Sequence, residues 1–516
     1  MTTSKAIVSQ LLAALLLLAG CSGGINHRDS SAEERTAAEF RAVRDDPARL
    51  GAFLRAMPKG GDLHNHLSGA VYAESLVQWA ADKGLCVDLP SMKLSAPVTP
   101  CDAGAGRPPA GEALASPELH DRMVDAWSMR NWSPAGGESG HDHFFATFEK
   151  FDAATKGNTG RMLAEAASRA AVERLSYLEL MLSPDGGKSL AVGSSVGWDD
   201  DLPRLREALL ANGILDAAAA VTVNLDQAEA DSRDLLQCGT PQAQPACAVT
   251  VRYQFQVYRA GAKQRVFAQM VAAFEAATRD PRLVALNLVQ PEDAPTALAD
   301  FSLQMRMLDY LHGIYPKVHI ALHAGELVPG LVARDALSFH IRDSIEVGHA
   351  ERIGHGVDVM YEDQPLDLMR EMARRRILVE VCLTSNDAIL GVRGAGHPLS
   401  RYLEQGVPVA LATDDAGVSR STITLEYLKG VREQRLDYLQ LKAMARDSLE
   451  QAFMPGASLW ADPRRHLPTA ECADDGRGAR LSSEACRQFV GASPKARLQW
   501  EFEEQLARFE SGRARD

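Results

Sequence analysis

Eight short apolar runs, spread from residue 59 to residue 413, constrain the folding of this chain more than any other feature. They span 59–66, 174–183, 249–258, 283–289, 317–323, 350–355, 377–384 and 407–413. Several, such as RILVEVCL and VPVALAT, are apolar without alternation, the pattern of parallel strands buried on both faces. Amphipathic stretches at 161–173, 264–278, 297–312, 334–349 and 366–376 lie between them. Eight strands with intervening helices predict an α/β chain folded as a (β/α)8 TIM barrel rather than an open sheet.

A barrel of about 350 residues leaves roughly 150 of the 516 to place. Residues 32–56 read as an N-terminal helical segment broken near Pro47. The barrel is expected over 57–451, interrupted at 84–142 by a Pro-, Gly- and Ser-rich insert and at 224–248 by a smaller excursion. Residues 452–516 form a C-terminal extension that ends in a charged helix near 494–511.

The first 20 residues read as a signal peptide: Lys5 precedes an apolar core, Leu11 to Leu18, too short to span a bilayer. Leu18-Ala19-Gly20-Cys21 resembles the lipobox of bacterial lipoprotein signals, which implies lipidation of Cys21. The alternatives are a plain secretory signal and an uncleaved anchor. Residues 21–31 then serve as a tether. Export to the periplasm or cell envelope follows, with a lipid anchor as the only membrane contact; Ser22 leans the address towards the outer membrane. An oxidising compartment favours disulfides, and Cys86/Cys101, Cys238/Cys247 and Cys472/Cys486 form local pairs. Cys382, within VEVCL, reads as an unpaired core thiol.

Lys+Arg 55 against Asp+Glu 68 gives a net charge of −13. No basic stripe interleaved with aromatics occurs, which disfavours nucleic acid as a partner. Nothing in the sequence sets an oligomeric state.

Metal-binding and proton-transfer residues recur at the C-terminal ends of the expected strands. His64 and His66 in DLHNH face one side of a strand and can offer two imidazoles to one ion. His323 and Glu326 close ALHAGE, His355 lies between glycines in RIGHG, and Asp414 and Asp415 follow VALAT. Adjacent strand residues point to opposite sides, so the two carboxylates are expected to have different tasks. Three imidazoles and one carboxylate suit Zn²⁺ with an open position, leaving Glu326 and His355 for proton transfer. His141 and His143 repeat the HxH spacing in GHDHFF, but read as insert or helix-start residues.

MPKGGDLHNHLSGA, ALHAGE, RIGHGV, VEVCLTSN and HPLSRYLEQGVPVALATDD together resemble the adenosine deaminase family, over roughly residues 57–450. The opening motif and the insert resemble its secreted, growth-factor-related branch. The resemblance implies the metal-dependent hydrolase barrel, one Zn²⁺ per chain held by His64, His66, His323 and Asp414, and a small purine nucleoside as substrate. It implies that Glu326 protonates N1, that His355 helps deprotonate the attacking water, and that Asp415 hydrogen-bonds the water or N7. Gly325 joins Ser68, Gln290 and Asp415 among the substrate-contacting positions. Two of these depart from the family pattern. Ser68 stands where an Asp near the ribose 5′ region is common, and Gln290 where a Gly lies against the purine N3 edge.

The implied reaction is hydrolytic deamination of adenosine, 2′-deoxyadenosine or a related 6-aminopurine nucleoside. The alternatives are an amidohydrolase acting on another substrate and a non-catalytic nucleoside-binding lipoprotein. GSSVG at 193–197 fits a nucleophile-elbow pattern, but its flanks read as a Gly/Ser-rich loop. GGKS at 186–189 lacks the earlier glycine of a phosphate loop, and no HxE/PCxxC pair marks a cytidine-type deaminase.

Overall fold

In the computed structural model, residues 31–97, 100–475, 477–478 and 480–512 are described. The expected signal peptide, Cys21 and the expected tether up to residue 30 lie outside them; Ser31, the last tether position, instead caps the first helix by accepting from Glu34 N–H. Eight parallel strands form one sheet in sequential order. They are β1 (Gly61–His66), β2 (Tyr177–Leu182), β3 (Thr250–Tyr258), β4 (Leu283–Val289), β5 (His319–Ala324), β6 (Arg352–His355), β7 (Leu378–Val381) and β8 (Val409–Leu411). Seven fall inside the eight apolar runs, and β5 passes the end of its run by one residue, Ala324. The barrel closes just beyond β8: Asp414 N–H donates to His64 O at 2.9 Å, and His66 N–H donates to Asp414 O at 3.0 Å. The closing seam therefore runs through residues of the expected site.

Inside the barrel the core is partly polar. Arg352 on β6 is fully buried and donates to Glu179 on β2 at 2.5 Å and to Glu380 on β7 at 2.6 Å. Gln254 on β3 bridges Glu179 at 3.0 Å and the Leu63 carbonyl at 2.9 Å. Charges taken out of water persist only when paired in this way, because an unpaired one costs several kcal/mol.

The N-terminal helices (Ala32–Val43 and Pro47–Ala56) and the C-terminal helix (Pro494–Glu510) pack together through Phe40, Phe53 and Phe509. With the helix Tyr438–Glu450 they close the foot of the barrel, where Leu63, Tyr177 and Leu378 meet Leu449, Leu498 and Phe502. The three local cysteine pairs are disulfides, and Cys382 is free and buried.

Three expectations change. Residues 188–196 form a helix, not a loop; Gly193 lets it pack closely on the helix Lys263–Ala277, since a Cβ there would meet Ala268 at 2.7 Å. Residues 224–235 belong to a 22-residue helix, Ile214–Leu235, so the smaller excursion begins only afterwards. The run 377–384 ends as strand at Val381, and a helix begins at Leu383.

The insert carries a hairpin (Cys86–Asp88 with Lys93–Ser95) and the helix Pro117–Ala126. The helix Gly140–Thr155 then brings the chain back to the barrel mouth. Its start is capped by Ser139, which accepts from Asp142 N–H at 2.9 Å. Gly140 lies so close to Ala388 O that a Cβ would reach 1.8 Å, which seats the helix on Leu383–Leu390.

Candidate metal centre and substrate cavity

The C-terminal strand ends open into a cavity of about 460 Å³. His66, His323, Glu326, His355, Asp414 and Asp415 line it. One ligand atom from each of His64, His66, His323 and Asp414 lies within 4.8 Å of the others. Asp414 Oδ1 is 3.4 Å from His64 Nε2 and 3.3 Å from His66 Nε2, and the Nε2 atoms of His66 and His323 are 3.1 Å apart.

Each of these side chains is held from behind, as a metal-binding imidazole or carboxylate generally is. His64 Nδ1 faces Glu380 Oε2 at 2.7 Å. His66 Nδ1 lies 2.7 Å from the Gln256 amide. Asn287 Oδ1 accepts both the backbone N–H of His323, at 2.9 Å, and its Nδ1, at 2.8 Å. A backbone N–H can only donate, so this amide oxygen is fixed in place, and the Nε2 lone pair of His323 faces the cavity. Ser385 donates to Asp414 Oδ2 at 2.6 Å.

The electrostatics suit a cation. Burial pulls the His64 imidazole down, but the Asp414 and Glu380 carboxylates on either side of it outweigh it and raise its pKa to about 10. The paired carboxylates thus call for positive charge. Burial, followed by the neighbouring imidazoles, holds His323 well below its usual range and so in the neutral form that binds metal. A second grouping places Cys382 with His64, His355 and Asp414. Burial keeps that thiol protonated, and it points to Glu380 O at 3.9 Å, which disfavours it as a ligand.

The close approach needs glycine in two places. A Cβ on Gly354 would meet the His64 ring at 2.5 Å, and one on Gly69 would meet Asp415 Oδ1 at 1.6 Å. The glycine before His355 therefore makes room for His64 rather than for a ligand.

Glu326 sits in the turn after β5. Burial, reinforced by Asp414 and Glu292, pushes its carboxyl well above the usual range. Glu292 carries this turn: it accepts from Glu326 N–H at 2.9 Å, from Gly325 N–H at 3.3 Å and from His340 at 2.7 Å. The Gly325 carbonyl in turn accepts from Val357 and Asp358. Both polar groups of Gly325 are thus spent within the protein, where they shape the turn that carries Glu326. Burial lowers His355 to about pKa 3.

Asp414 and Asp415 both line the cavity, against the expectation of opposite sides. The alternation rule fails here because the strand has ended and Asp414 has φ +58°. Ser68 and Gln290 also line the cavity; Gln290 has φ +81° and accepts from Ala260 N–H at 3.0 Å.

His141 and His143 begin the helix Gly140–Thr155 and pair with Asp293 and Glu138. Ser195 lies in a helix and donates to Val192 O, away from any nucleophile elbow. The sequence reading did not anticipate the aromatic wall, Phe144, Phe145, Phe148 and Phe151 on that same helix. The i, i+4, i+7 spacing within HFFATFEKF was its only signal.

A closed parallel barrel with imidazoles and carboxylates gathered at its C-terminal mouth defines the class of barrel metal-dependent hydrolases. Residues 138–459, more than half of the chain, match the adenosine deaminase family, and the chain belongs to it. An adenosine deaminase of Escherichia coli is 38% identical over 137 residues, 26% of this chain and 38% of that protein. The chain thus matches little more than a third of the length of such curated relatives. In fold it is similar to adenine deaminase from Arthrobacter aurescens, with TM-score 0.50 and 16% identity over 87% of this chain and 99% of that one. It is also similar to an amidohydrolase from Burkhoderia ambifaria solved with bound Zn, with TM-score 0.50 and 16% identity over 81% and 90%.

Proposed function

We propose that the protein is a zinc-dependent aminohydrolase. It converts adenosine, 2′-deoxyadenosine or a related 6-aminopurine nucleoside to the 6-oxo product and ammonia. One observation carries the reading: His64 Nε2, Glu326 Oε1, His355 Nε2 and Asp415 Oδ1 are all buried without a partner, and they belong to a single site. Buried polar atoms are left unpaired in this way where a ligand completes them.

His64, His66, His323 and Asp414 would hold one Zn²⁺. A zinc ion held there would lower the pKa of water from 15.7 towards about 7 and so would supply hydroxide at neutral pH. Asn287, the polar residue of β4 nearest the site, accepts from His323 and supplies no carboxylate to bridge a second metal. The residues of this chain do the rest. Glu326, whose carboxyl burial, Asp414 and Glu292 hold well above the usual range, gives its proton to purine N1 as the oxygen adds at C6, which absorbs the charge developing on the ring. His355 faces the incoming oxygen, and Asp415 offers Oδ1 to the water or to purine N7. Phe145 and Phe148 line the cavity, where they would pack against the base and sugar and exclude water. Among the described residues the cavity lining includes no Lys or Arg, which suits a neutral nucleoside better than a nucleotide. Ser68 and Gln290 would meet the remote end of the substrate.

The lipobox-like LAGC and the three disulfides support export and lipidation at Cys21, with an envelope address. The test of function follows the ultraviolet change on deamination. Adenosine, 2′-deoxyadenosine, AMP, methylthioadenosine, guanosine and cytidine would each be tested with and without a chelator. The reading expects chelator-sensitive turnover of the 6-aminopurine nucleosides; no turnover of any of them would refute it.

A further inference from the structure

His355 differs from the other imidazoles of the site in what stands behind it. His64 and His323 are backed by oxygen acceptors, so each keeps its Nδ1 proton and leaves Nε2 for a cation. Behind His355 stands the amide of Asn386, with Nδ2 2.9 Å from Nδ1.

The direction of that bond follows from a fixed point. The backbone N–H of Leu399 can only donate, and it lies 3.1 Å from His397 Nδ1, which therefore accepts. His397 is buried, and burial with Lys429 nearby lowers its pKa to about 4, so the ring is neutral and its one proton sits on Nε2. His397 Nε2 is 3.1 Å from Asn386 Oδ1 and donates to it. With its oxygen engaged, the Asn386 amide turns its NH₂ towards His355 and donates to Nδ1. The proton of a neutral His355 ring is then on Nε2, which is buried and has no partner in the protein.

We propose that Asn386 and His397 are positioning residues that lock His355 in its Nε2–H tautomer, so that it meets the incoming oxygen as a hydrogen-bond donor. The proposal rests on the deaminase reading above, and it replaces the base role that the family resemblance implies for His355. It also explains why His355 stands apart from the metal ligands although it lies among them. Its ring nitrogen falls within 4.8 Å of ligand atoms of His64 and Asp414. A lone pair on Nε2 would compete for the cation, whereas a proton there cannot coordinate.

The test reads the tautomer directly. Long-range ¹H–¹⁵N correlation spectra of metal-free, ¹⁵N-histidine-labelled protein distinguish a protonated ring nitrogen from one bearing a lone pair, and His355→Gln identifies the His355 signals. The wild type is expected to show a protonated Nε2 and a lone pair on Nδ1. Asn386→Asp, which offers only acceptors, should reverse the two and lower kcat about 10²-fold with KM little changed, as for the loss of one preorganised donor. His397→Gln keeps a donor for Asn386 and should retain most activity, whereas His397→Ala should fall towards the Asn386→Asp level; this pair decides if Asn386→Asp does not fold. A proton on Nδ1 of His355 in the wild type would overturn the proposal. So would an Asn386→Asp protein with unchanged tautomer and kcat. If the wild type deaminated no 6-aminopurine, the deaminase reading would fail, while the spectrum would still decide for or against the lock.

Discussion

The floor and the wall of the cavity are built by different means. On the floor, each of the four candidate ligands is fixed by a second buried residue: Glu380 behind His64, Gln256 behind His66, Asn287 behind His323, Ser385 behind Asp414. Glu380 and Asn287 connect in turn to the polar barrel interior, through Arg352 and Gln254, which meet at Glu179. The wall is a single helix from the insert, and Phe145 and Phe148 are held on it by packing alone. Hydrogen-bonded groups resist displacement in direction as well as distance, whereas packed rings adjust to what they meet. The floor is thus suited to fixed chemistry and the wall to choice of substrate. Changes to the floor should lower kcat, and changes to the wall should raise KM.

The sharpest way to break this division is to remove a ligand. His323→Ala or Asp414→Ala should lose bound zinc and at least about 10³-fold in kcat/KM, since metal stabilisation supplies several kcal/mol at the transition state. Metal analysis beside steady-state kinetics checks both losses together. Glu326→Gln should keep zinc and lose about 10²-fold or more in kcat. The wild type should also lose activity as pH rises through the elevated pKa of Glu326, because the acid must be protonated to act; this alkaline limb should vanish in Glu326→Gln. Glu380→Gln should weaken zinc binding about 10- to 100-fold, measured by competition with a chelator. On the wall, Phe148→Ala should raise KM roughly tenfold with kcat nearly unchanged, the loss of one stacking face. A fall in kcat alone would place the wall in the chemistry and collapse the distinction. The smallest effect on catalysis is expected from Cys21→Ala, which should release the protein from the membrane fraction with unaltered kinetics.

The same contrast decides what could be read from the sequence. The strands were legible because burial on both faces demands continuous apolar runs, as in LVALNLV of β4. The site residues were legible because HxH, HAGE, GHG and ATDD fall at the ends of those runs. The supporting groups were not. Glu380 and Asn287 are single polar residues inside apolar strands, and only the folded barrel shows that one faces His64 and the other His323. Glu292 carries no motif of its own in the sequence, and its hold on the Glu326 turn depends on three contacts distant in sequence. The phenylalanine wall was hidden because its helix follows a Pro- and Gly-rich insert, and its periodicity does not say which surface it covers. The sides taken by Asp414 and Asp415 were misjudged because strand alternation was carried one turn beyond the end of β8.

The central claim is that one zinc ion at His64, His66, His323 and Asp414 drives deamination of a 6-aminopurine nucleoside. Stepwise return of zinc to chelator-stripped protein, with bound metal and adenosine turnover recorded at each step, tests it most directly. The account predicts that activity rises in proportion to bound zinc and levels off at one ion per chain, and that Asp414→Ala stays inactive throughout. Full turnover by stripped protein, or activity that appears only with a second ion, would contradict it.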